Sequence, residues 1–450
     1  MNQIVRFLIV AFGLFLATGA WAQEEGDRIP STESDAPAIE DYAGRPLGIE
    51  VGGDGTMQVP IAVPDTFANS TDPGGVRDLI AGTIRTCLGI AGFFEVHTPE
   101  NFFFDASAEG MHASTINFQN YVLVGSQGLI KTAFATAANG VGLDFRLYDV
   151  DTGAQLDVGY PATVVVPQSD VQREVYRFVN LVIQYYTGTL GIFGSRIVFT
   201  APDGRGVRQI FTIGMDGSGL GSVTSGSLNV SPTWGPGGSI FYTSYRSGNT
   251  DLYLGNEAWS TRPGMNMNAA MRPGGGEVAA VLSMSGDTDI YILDMSGEII
   301  RRCTDTNAED LSPTWSPDGS QIAFVSDRSG GPQIFVMNAD CSGQRRISFA
   351  GNYNTDPDWS PGGDLIAFTG RTSGGRYDIF TIDPASSQMM RVTQDQGDNE
   401  HPSFSPDGRY LVFSSTRDGG GGQLYISTVD GLSQVRITTS GGDARTPEWE

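Results

Sequence analysis

Short apolar runs and turn residues alternate through the second half of the chain in a repeating pattern. One unit, residues 311–348, reads LSPTWSPDGSQIAFVSDRSGGPQIFVMNADCSGQRRIS and holds four apolar runs separated by polar turns. Similar units recur about 45 residues apart. Their bulky anchor positions are Trp234, Met271, Trp315, Trp359, Phe404 and Trp449. Each unit predicts one four-stranded sheet, and a repeat of this length is typical of a β-propeller blade.

The first and last copies of the repeat are each incomplete. Residues 195–225 supply the last three strands of a unit but lack its first, whereas the final ARTPEWE reads as a first strand alone. We therefore expect residues 447–449 to pair beside 197–200. This pairing would complete six blades, close the ring and protect a sheet edge that is otherwise open.

Strand and helix patterns alternate in the region before the repeats. VPIAV at 59–63 predicts a buried strand, and NYVLVGSQ at 120–127 predicts another. Apolar residues at helical spacing follow Asp72-Pro73-Gly74-Gly75 and Asp170, which predicts two helices. Asp151-Thr152-Gly153 is predicted to turn a hairpin.

Together these patterns predict two domains. We expect an N-terminal α/β domain over residues 46–190, followed by a six-bladed β-propeller over 191–450 that is closed by the C-terminal strand.

The amino terminus has the pattern of a secretory signal. Arg6 precedes an apolar stretch over 7–17, and Ala20-Trp21-Ala22 is a small-x-small cleavage site. The apolar stretch is too short to span a bilayer, so we expect a cleaved signal at 1–22, a periplasmic location and no direct membrane insertion. Residues 23–45 are rich in acids and are predicted to form a flexible acidic tail.

The net charge and the cysteine and histidine positions argue against nucleic-acid binding and against a metal site. The chain is 39% hydrophobic with a formal net charge of −24, which argues against nucleic-acid binding. Of the three cysteines, Cys303 and Cys341 lie in neighbouring repeats and form the better candidate for a disulfide, while Cys87 falls in a predicted helix. There is no Cys/His cluster with zinc spacing, and the loop from Asp149 has Tyr160 where a calcium loop needs Glu. We expect no metal and no cofactor.

A signal, an α/β domain and six WSPDG..IAF blades, in this order, resemble the TolB family over about residues 46–450. The blade motif alone also occurs in propellers of prolyl-oligopeptidase-like and tricorn-like peptidases. The domain order, the VPIAVPD strand and the closing strand are more specific. The resemblance implies a non-enzymatic, monomeric periplasmic adaptor of the Tol-Pal system. It implies two partners, the outer-membrane lipoprotein Pal and the inner-membrane protein TolA, and a role in envelope integrity and outer-membrane constriction during cell division.

The resemblance also implies two partner-binding regions. The TolA-like partner would bind a segment at about 46–58, with apolar positions at Leu47, Ile49, Val51 and Met57. This segment would add a strand to a partner's sheet, or it is a strand of the N-terminal domain itself.

The Pal-like partner would bind a polar collar on one rim of the propeller, formed by loops that enter the first strand of each blade. Asn and Asp are also ordinary turn residues, so a purely local role stays open. The collar candidates are Asn266, Asn268, Glu309, Asp310, Asn354, Asp356, Asn399, Glu400, His401 and Arg445.

Enzymatic alternatives have less support in the sequence. A propeller-gated hydrolase needs a nucleophile site, but no G-x-S-x-G occurs and only His97, His112 and His401 could serve a serine triad. A propeller glycosidase or lactonase could use carboxylates such as Asp310 and Asp356. A generic periplasmic scaffold is a further alternative. We expect no enzymatic activity.

Overall fold

The computed structural model describes residues 58–394, 396–439 and 442–450. By contact, the described residues form two compact units, one of 58–225 with 403–450 and one of 226–402. The predicted signal, the acidic tail and the positions Leu47, Ile49, Val51 and Met57 lie outside the described residues. Within the described ranges, no helix is long and apolar enough to cross a membrane.

The N-terminal domain is built on a mixed seven-stranded sheet with the order β3-β1-β4-β5-β6, in which β2 also pairs with β4 and β7 with β5. The strands are β1 (Val59–Ala62), β2 (Phe67–Ala68), β3 (Phe94–His97), β4 (Gly128–Ala137), β5 (Gly140–Asp149), β6 (Gln155–Leu156) and β7 (Val164–Val166). The helices are α1 (Val76–Ala91), α2 (Phe118–Val124) and α3 (Val171–Thr187). Short 3₁₀ turns lie at Pro99–Asn101, Ala106–Ala108, Ala113–Thr115 and Gln168–Asp170.

Local chemistry explains these elements. The Asp72 carboxylate accepts hydrogen bonds from the backbone N–H groups of Val76 (2.8 Å) and Arg77 (3.3 Å), which satisfies free donors at the start of α1. The predicted hairpin is confirmed, because β5 pairs with β6 across the turn at 151–153. The strand predicted at 120–127 is wrong. This stretch forms α2, which Gly125 ends with a φ of 87°.

Six four-stranded sheets follow, and we number them blade 1 to blade 6 in chain order. Blade 1 contains β8 (Arg196–Pro202), β9 (Arg208–Gly214) and β10 (Gly221–Ser222). Blade 2 contains β11 (Asn229–Trp234), β12 (Ile240–Ser244), β13 (Asp251–Leu254) and β14 (Glu257–Ser260), with a 3₁₀ turn at Pro236–Gly238. Blade 3 contains β15 (Asn266–Met271), β16 (Glu277–Leu282), β17 (Asp289–Asp294) and β18 (Ile299–Arg302).

The last three blades repeat this arrangement. Blade 4 contains β19 (Asp310–Trp315), β20 (Gln321–Ser326), β21 (Gln333–Asn338) and β22 (Arg345–Arg346). Blade 5 contains β23 (Asn354–Trp359), β24 (Ile366–Arg371), β25 (Tyr377–Ile382) and β26 (Met389–Arg391). Blade 6 contains β27 (Asn399–Phe404), β28 (Tyr410–Ser415), β29 (Gln423–Thr428) and β30 (Gln434–Arg436), and the chain ends with β31 (Arg445–Trp449).

The C-terminal strand β31 completes blade 1, as predicted. It pairs antiparallel with β8, with Glu448 opposite Val198 and Trp449 opposite Ile197. The Trp449 indole Nε1 donates to Ser195 Oγ at 2.9 Å, and its ring is 6% exposed. The predicted fold class is confirmed, namely an N-terminal α/β domain followed by a six-bladed β-propeller closed by its last strand.

The N-terminal domain and blades 1 and 6 share one hydrophobic core. Buried residues of α1 and α3 pack in the same cluster as Ile197, Tyr410 and Trp449. Tyr410 Oη donates to the Ala91 carbonyl at 3.1 Å, and Tyr176 Oη donates to Asp216 Oδ2 at 2.6 Å. This common core explains why the compact unit extends past the boundary near residue 190 that the sequence suggests.

In the unit of residues 226–402, neighbouring sheets pack through apolar layers. Blades 3 and 4 share a cluster that includes Ile290, Trp315 and Phe324. The predicted disulfide is present, and Cys303 of blade 3 is bonded to Cys341 of blade 4. It joins covalently two blades that already share a core.

Candidate partner-binding rim

The first strand of each blade carries a residue in the left-handed region of backbone conformation. These residues have φ values between 47° and 57°, which is uncommon outside glycine and marks a position that the surrounding structure holds in place. They are Ser231, Asn268, Ser312, Asp356, His401 and Thr446. The strand register shifts here in blades 1 to 5, for example between Thr355 and Asp358, so these first strands have a β-bulge. Three of these residues, Asn268, Asp356 and His401, are predicted collar residues.

Four predicted collar residues are buried and hydrogen-bonded inside the propeller. Asn266, Asp310, Asn354 and Asn399 are at most 2% exposed. Asn354 Nδ2 donates to Gln333 Oε1 at 2.8 Å, and Asn399 Nδ2 donates to Asp378 Oδ1 at 3.0 Å, so each links its strand to the preceding blade. Asn266 donates to the Arg262 carbonyl at 2.7 Å, and Asp310 accepts from Arg328 Nη2 at 3.0 Å. In this arrangement their side chains hold the loops in place, and their part in partner binding stays a prediction.

The other predicted collar residues are partly exposed. Glu309 accepts hydrogen bonds from the backbone N–H and the hydroxyl of Thr288. Asp356 accepts from Thr355 Oγ1 at 3.0 Å and lies 3.9 Å from Nε2 of His401. The backbone N–H of His401 donates to Thr369 Oγ1 at 3.0 Å. Two further members, Asn268 and Glu400, lie on the first strands of blades 3 and 6.

Two tyrosines that the sequence did not single out complete this cluster. The rings of Tyr353 and Tyr377 are 5.6 Å apart. Burial raises the pKa of Tyr353, and the carboxylate of Asp356 adds to that shift. Tyr353 comes directly before the buried Asn354, so an aromatic residue next to a first-strand Asn is the signal that could have found it.

We call Tyr353, Asp356, Tyr377, Asp398, Glu400 and His401 the acidic rim cluster. Asp398 accepts from the Tyr377 backbone N–H at 3.2 Å and lies 3.5 Å from Arg376 Nη1. The cluster presents acceptors and aromatic rings, an arrangement suited to basic or amide groups of a protein partner.

Arg445 belongs to the other compact unit. Its Nε donates to Asp443 Oδ1 at 2.8 Å. Asp443 also accepts from the Gly422 backbone N–H at 2.7 Å and pairs with Arg208. In this arrangement Arg445 holds the segment that leads into β31.

One predicted candidate for a serine triad, His97, lies next to a serine in the N-terminal domain. His97 Nδ1 lies 2.7 Å from Ser126 Oγ, and His97 Nε2 lies 3.5 Å from Glu95. Ser126 is only 4% exposed. In the described ranges, no group of three or more His, Cys, Asp or Glu side chains is placed to hold a metal ion.

Models of two known protein domains match this chain. A model described as the TolB β-propeller domain matches residues 183–450, and one described as the TolB amino-terminal domain matches residues 47–156. The chain belongs to the TolB family. Its membership rests on both domains in the order that the sequence predicts.

Curated relatives carry the name Tol-Pal system protein TolB. One from Anaeromyxobacter dehalogenans (strain 2CP-C) is 39% identical over 276 residues, which cover 59% of this chain and 62% of the relative. One from Desulfosudis oleivorans is 35% identical over 261 residues, which cover 55% of this chain and 58% of the relative. The matches therefore span about three fifths of the length of these TolB proteins.

A solved structure extends the likeness of fold. The crystal structure of TolB from Acinetobacter baumannii superposes with a TM-score of 0.74 at 24% identity, covering 87% of this chain and 96% of that one. This similarity supports the shared TolB fold of both domains.

Proposed function

We propose that this chain is a periplasmic adaptor of a Tol-Pal envelope system. In this role it binds a Pal-like outer-membrane lipoprotein and a TolA-like inner-membrane protein, and it supports envelope integrity and outer-membrane constriction during cell division. The observation that carries the proposal is the match of both domains to TolB models, together with relatives named as Tol-Pal proteins. The proposed adaptor has no catalytic activity.

The Pal-like partner is proposed to bind the acidic rim cluster. Asp356, Glu400 and His401 are partly exposed, Asp356 and His401 have a left-handed backbone conformation, and Glu400 lies directly before His401. An acidic surface of this kind selects basic groups on a partner and accelerates association at low salt. The buried residues Asn354 and Asn399 support the same strands from within.

The TolA-like partner is proposed to bind the segment before Gln58, and this segment would add a strand to the partner's sheet. The apolar positions Leu47, Ile49, Val51 and Met57 would supply alternate side chains for that contact. Gln58 itself belongs to the folded domain, since its Nε2 donates to the Gly92 carbonyl at 3.0 Å.

Two variants test the two proposed surfaces independently. Asp356→Asn combined with Glu400→Gln is expected to weaken binding of the purified Pal-like protein about tenfold, mainly through slower association at low salt. Deleting residues 46–57 is expected to abolish binding of the TolA-like C-terminal domain. Each variant should leave the other interaction unchanged, as measured by surface plasmon resonance.

Glu257→Gln combined with Asp151→Asn is the matched control, because both residues are exposed away from the rim cluster and the pair removes the same two charges. Pal binding by the rim variant that equals the control would remove the rim from the proposal. TolA binding by the deletion variant at wild-type strength would remove the N-terminal segment.

A further inference from the structure

A cavity of about 440 Å³ opens in the N-terminal domain, apart from the propeller rim. Its lining combines aromatic side chains with charged ones. The lining residues that matter for the argument are Phe67, Phe102, Phe104, Arg77, Glu109 and Lys131. A volume of this size is within the range of small-molecule sites, and this lining mixes aromatic rings with charged and hydroxyl side chains.

Lys131 is the single lysine of the chain and is only 4% exposed. Its Nζ donates to the Ala106 carbonyl at 3.3 Å and lies 3.6 Å from Glu109 Oε2. An ammonium group has three donors, so this one is short of acceptors within the described structure. Burial lowers the pKa of Lys131, and Glu109 opposes that shift.

Glu109 is already occupied by other donors. Its Oε2 accepts from Tyr121 Oη at 2.8 Å, and its Oε1 accepts from the Asn117 backbone N–H at 3.2 Å. The carboxylate therefore orders the loop and α2 as much as it balances Lys131. Of the pair, only Lys131 can donate a hydrogen bond to an anionic ligand, because an ionised carboxylate is an acceptor only.

Three carboxylates and two cationic groups line the cavity, and the carboxylates already have partners within the domain. Asp65 is paired with Arg85 at 2.8 Å, and Asp105 accepts from the backbone and hydroxyl of Ser107. The Arg77 side chain is exposed and makes no hydrogen bond or ion pair in the part of the chain that the structure describes. Arg77 thus offers a second cationic group in the lining.

We propose that this cavity binds a small carboxylate with an apolar body. The carboxylate would accept hydrogen bonds from Lys131 and Arg77, and the body would pack against Phe67, Phe102 and Phe104. Two sources share this chemistry, a free organic acid and the C-terminal carboxylate of a peptide that ends in an apolar residue.

The single lysine allows a direct test. Full-length mature protein labelled with [ε-¹³C]lysine gives one side-chain NMR signal, which reports on Lys131 alone. Phenylacetate is expected to shift this signal saturably below about 20 mM, whereas the neutral isostere phenylacetamide should bind at least tenfold more weakly. Equal shifts with both compounds, or no saturable shift with phenylacetate, would overturn the proposal.

Variants and peptides sharpen the result. Arg77→Gln is expected to weaken phenylacetate binding at least threefold, while Arg173→Gln, at an exposed position on α3, serves as the control. Equal affinity in both variants would also overturn the proposal. Lys131→Met combined with Glu109→Gln keeps the buried charge balanced and should abolish binding in calorimetry, and retained binding would count against the site.

N-acetyl-Gly-Gly-Phe with a free or an amidated C-terminus separates the two ligand sources. If phenylacetate and the free peptide bind and the amidated peptide does not, the result supports a peptide carboxylate as the ligand. If phenylacetate binds and neither peptide does, the result supports a free organic acid. Binding of the amidated form as tightly as the free form would contradict carboxylate recognition.

Discussion

At the residue scale, the same residue types serve two purposes in each blade. The sequence places Asn or Asp at the start of the first strand in blades 2 to 6, but residue type alone does not distinguish a surface contact from an internal bond. Asn354 and Asn399 are buried because each reaches a polar side chain of the preceding blade. Asp356 and His401, two residues further along, have a left-handed backbone conformation and stay partly exposed. Burial, which depends on the neighbouring blade, distinguishes the two groups of residues.

Asp443 gives a pH-dependent prediction at this scale. Burial raises the pKa of its carboxyl, but the Gly422 N–H, Arg445 and Arg208 lower it by more, so the net pKa lies below its ordinary value. The carboxylate therefore stabilises the folded state above the unfolded pKa of about 4, and this contribution is lost as the pH falls through the lower folded pKa.

Asp443→Asn is accordingly expected to reduce the free energy of unfolding at pH 7 by about 1 kcal/mol, because the carboxylate is partly exposed and screened. The difference from wild type should shrink below about pH 4, as followed by chemical denaturation across pH. Asp151→Asn, at an exposed turn, is the control and should show no such trend. A difference that grows on acidification would contradict the role of Asp443.

At the scale of elements, periodicity predicted most of the strands but not α2. The run at 120–127 is short and apolar, and such a run does not separate a buried strand from a short helix. The helix forms because the Tyr121 ring packs against Phe102 and Phe104 and its hydroxyl reaches Glu109, contacts that no local pattern contains. The closing strand was predictable because the first copy of the repeat lacks its first strand and the last copy consists of a first strand alone.

The closing strand carries a stability prediction. Deleting residues 442–450 removes the β31–β8 pairing and the buried Trp449 ring, so the thermal midpoint is expected to fall by about 10 °C or more. Glu450→Gln is the control, because it removes only the ion pair with Arg196. The side chains of Glu450 and Arg196 are 38% and 48% exposed, so this pair contributes little to stability. A deletion variant that melts like this control by circular dichroism would refute the closure.

The disulfide between blades 3 and 4 gives a second stability prediction. The two cysteines are 38 residues apart in the sequence. Cys303→Ser combined with Cys341→Ser is therefore expected to lower the free energy of unfolding by about 2–4 kcal/mol, because the unfolded chain gains conformational freedom. The measurement is the denaturant midpoint with and without a reducing agent. Reductant should lower the wild-type midpoint and leave the double variant unchanged, and a wild-type midpoint that does not respond would contradict the prediction.

At the scale of the whole molecule, the sequence predicted two domains but not their shared core. Tyr176 lies on an amphipathic helix and Tyr410 lies in a blade strand, and each pattern is complete by itself. Only the folded unit shows that Tyr410 bonds to the end of α1 and that Tyr176 bonds to Asp216 of blade 1. Long-range contacts of this kind leave no periodic signal, which is why the boundary near residue 190 does not separate two independent cores.

The adaptor proposal is tested most directly by capture from the envelope. Residues 23–450 are immobilised and exposed to a detergent-solubilised envelope extract of the source organism, and retained proteins are identified by mass spectrometry. Our account predicts recovery of both a peptidoglycan-associated lipoprotein and a TolA-like inner-membrane protein, with the first lost from the rim variant and the second from the deletion of 46–57. A folded wild-type protein that retains neither partner would contradict the account.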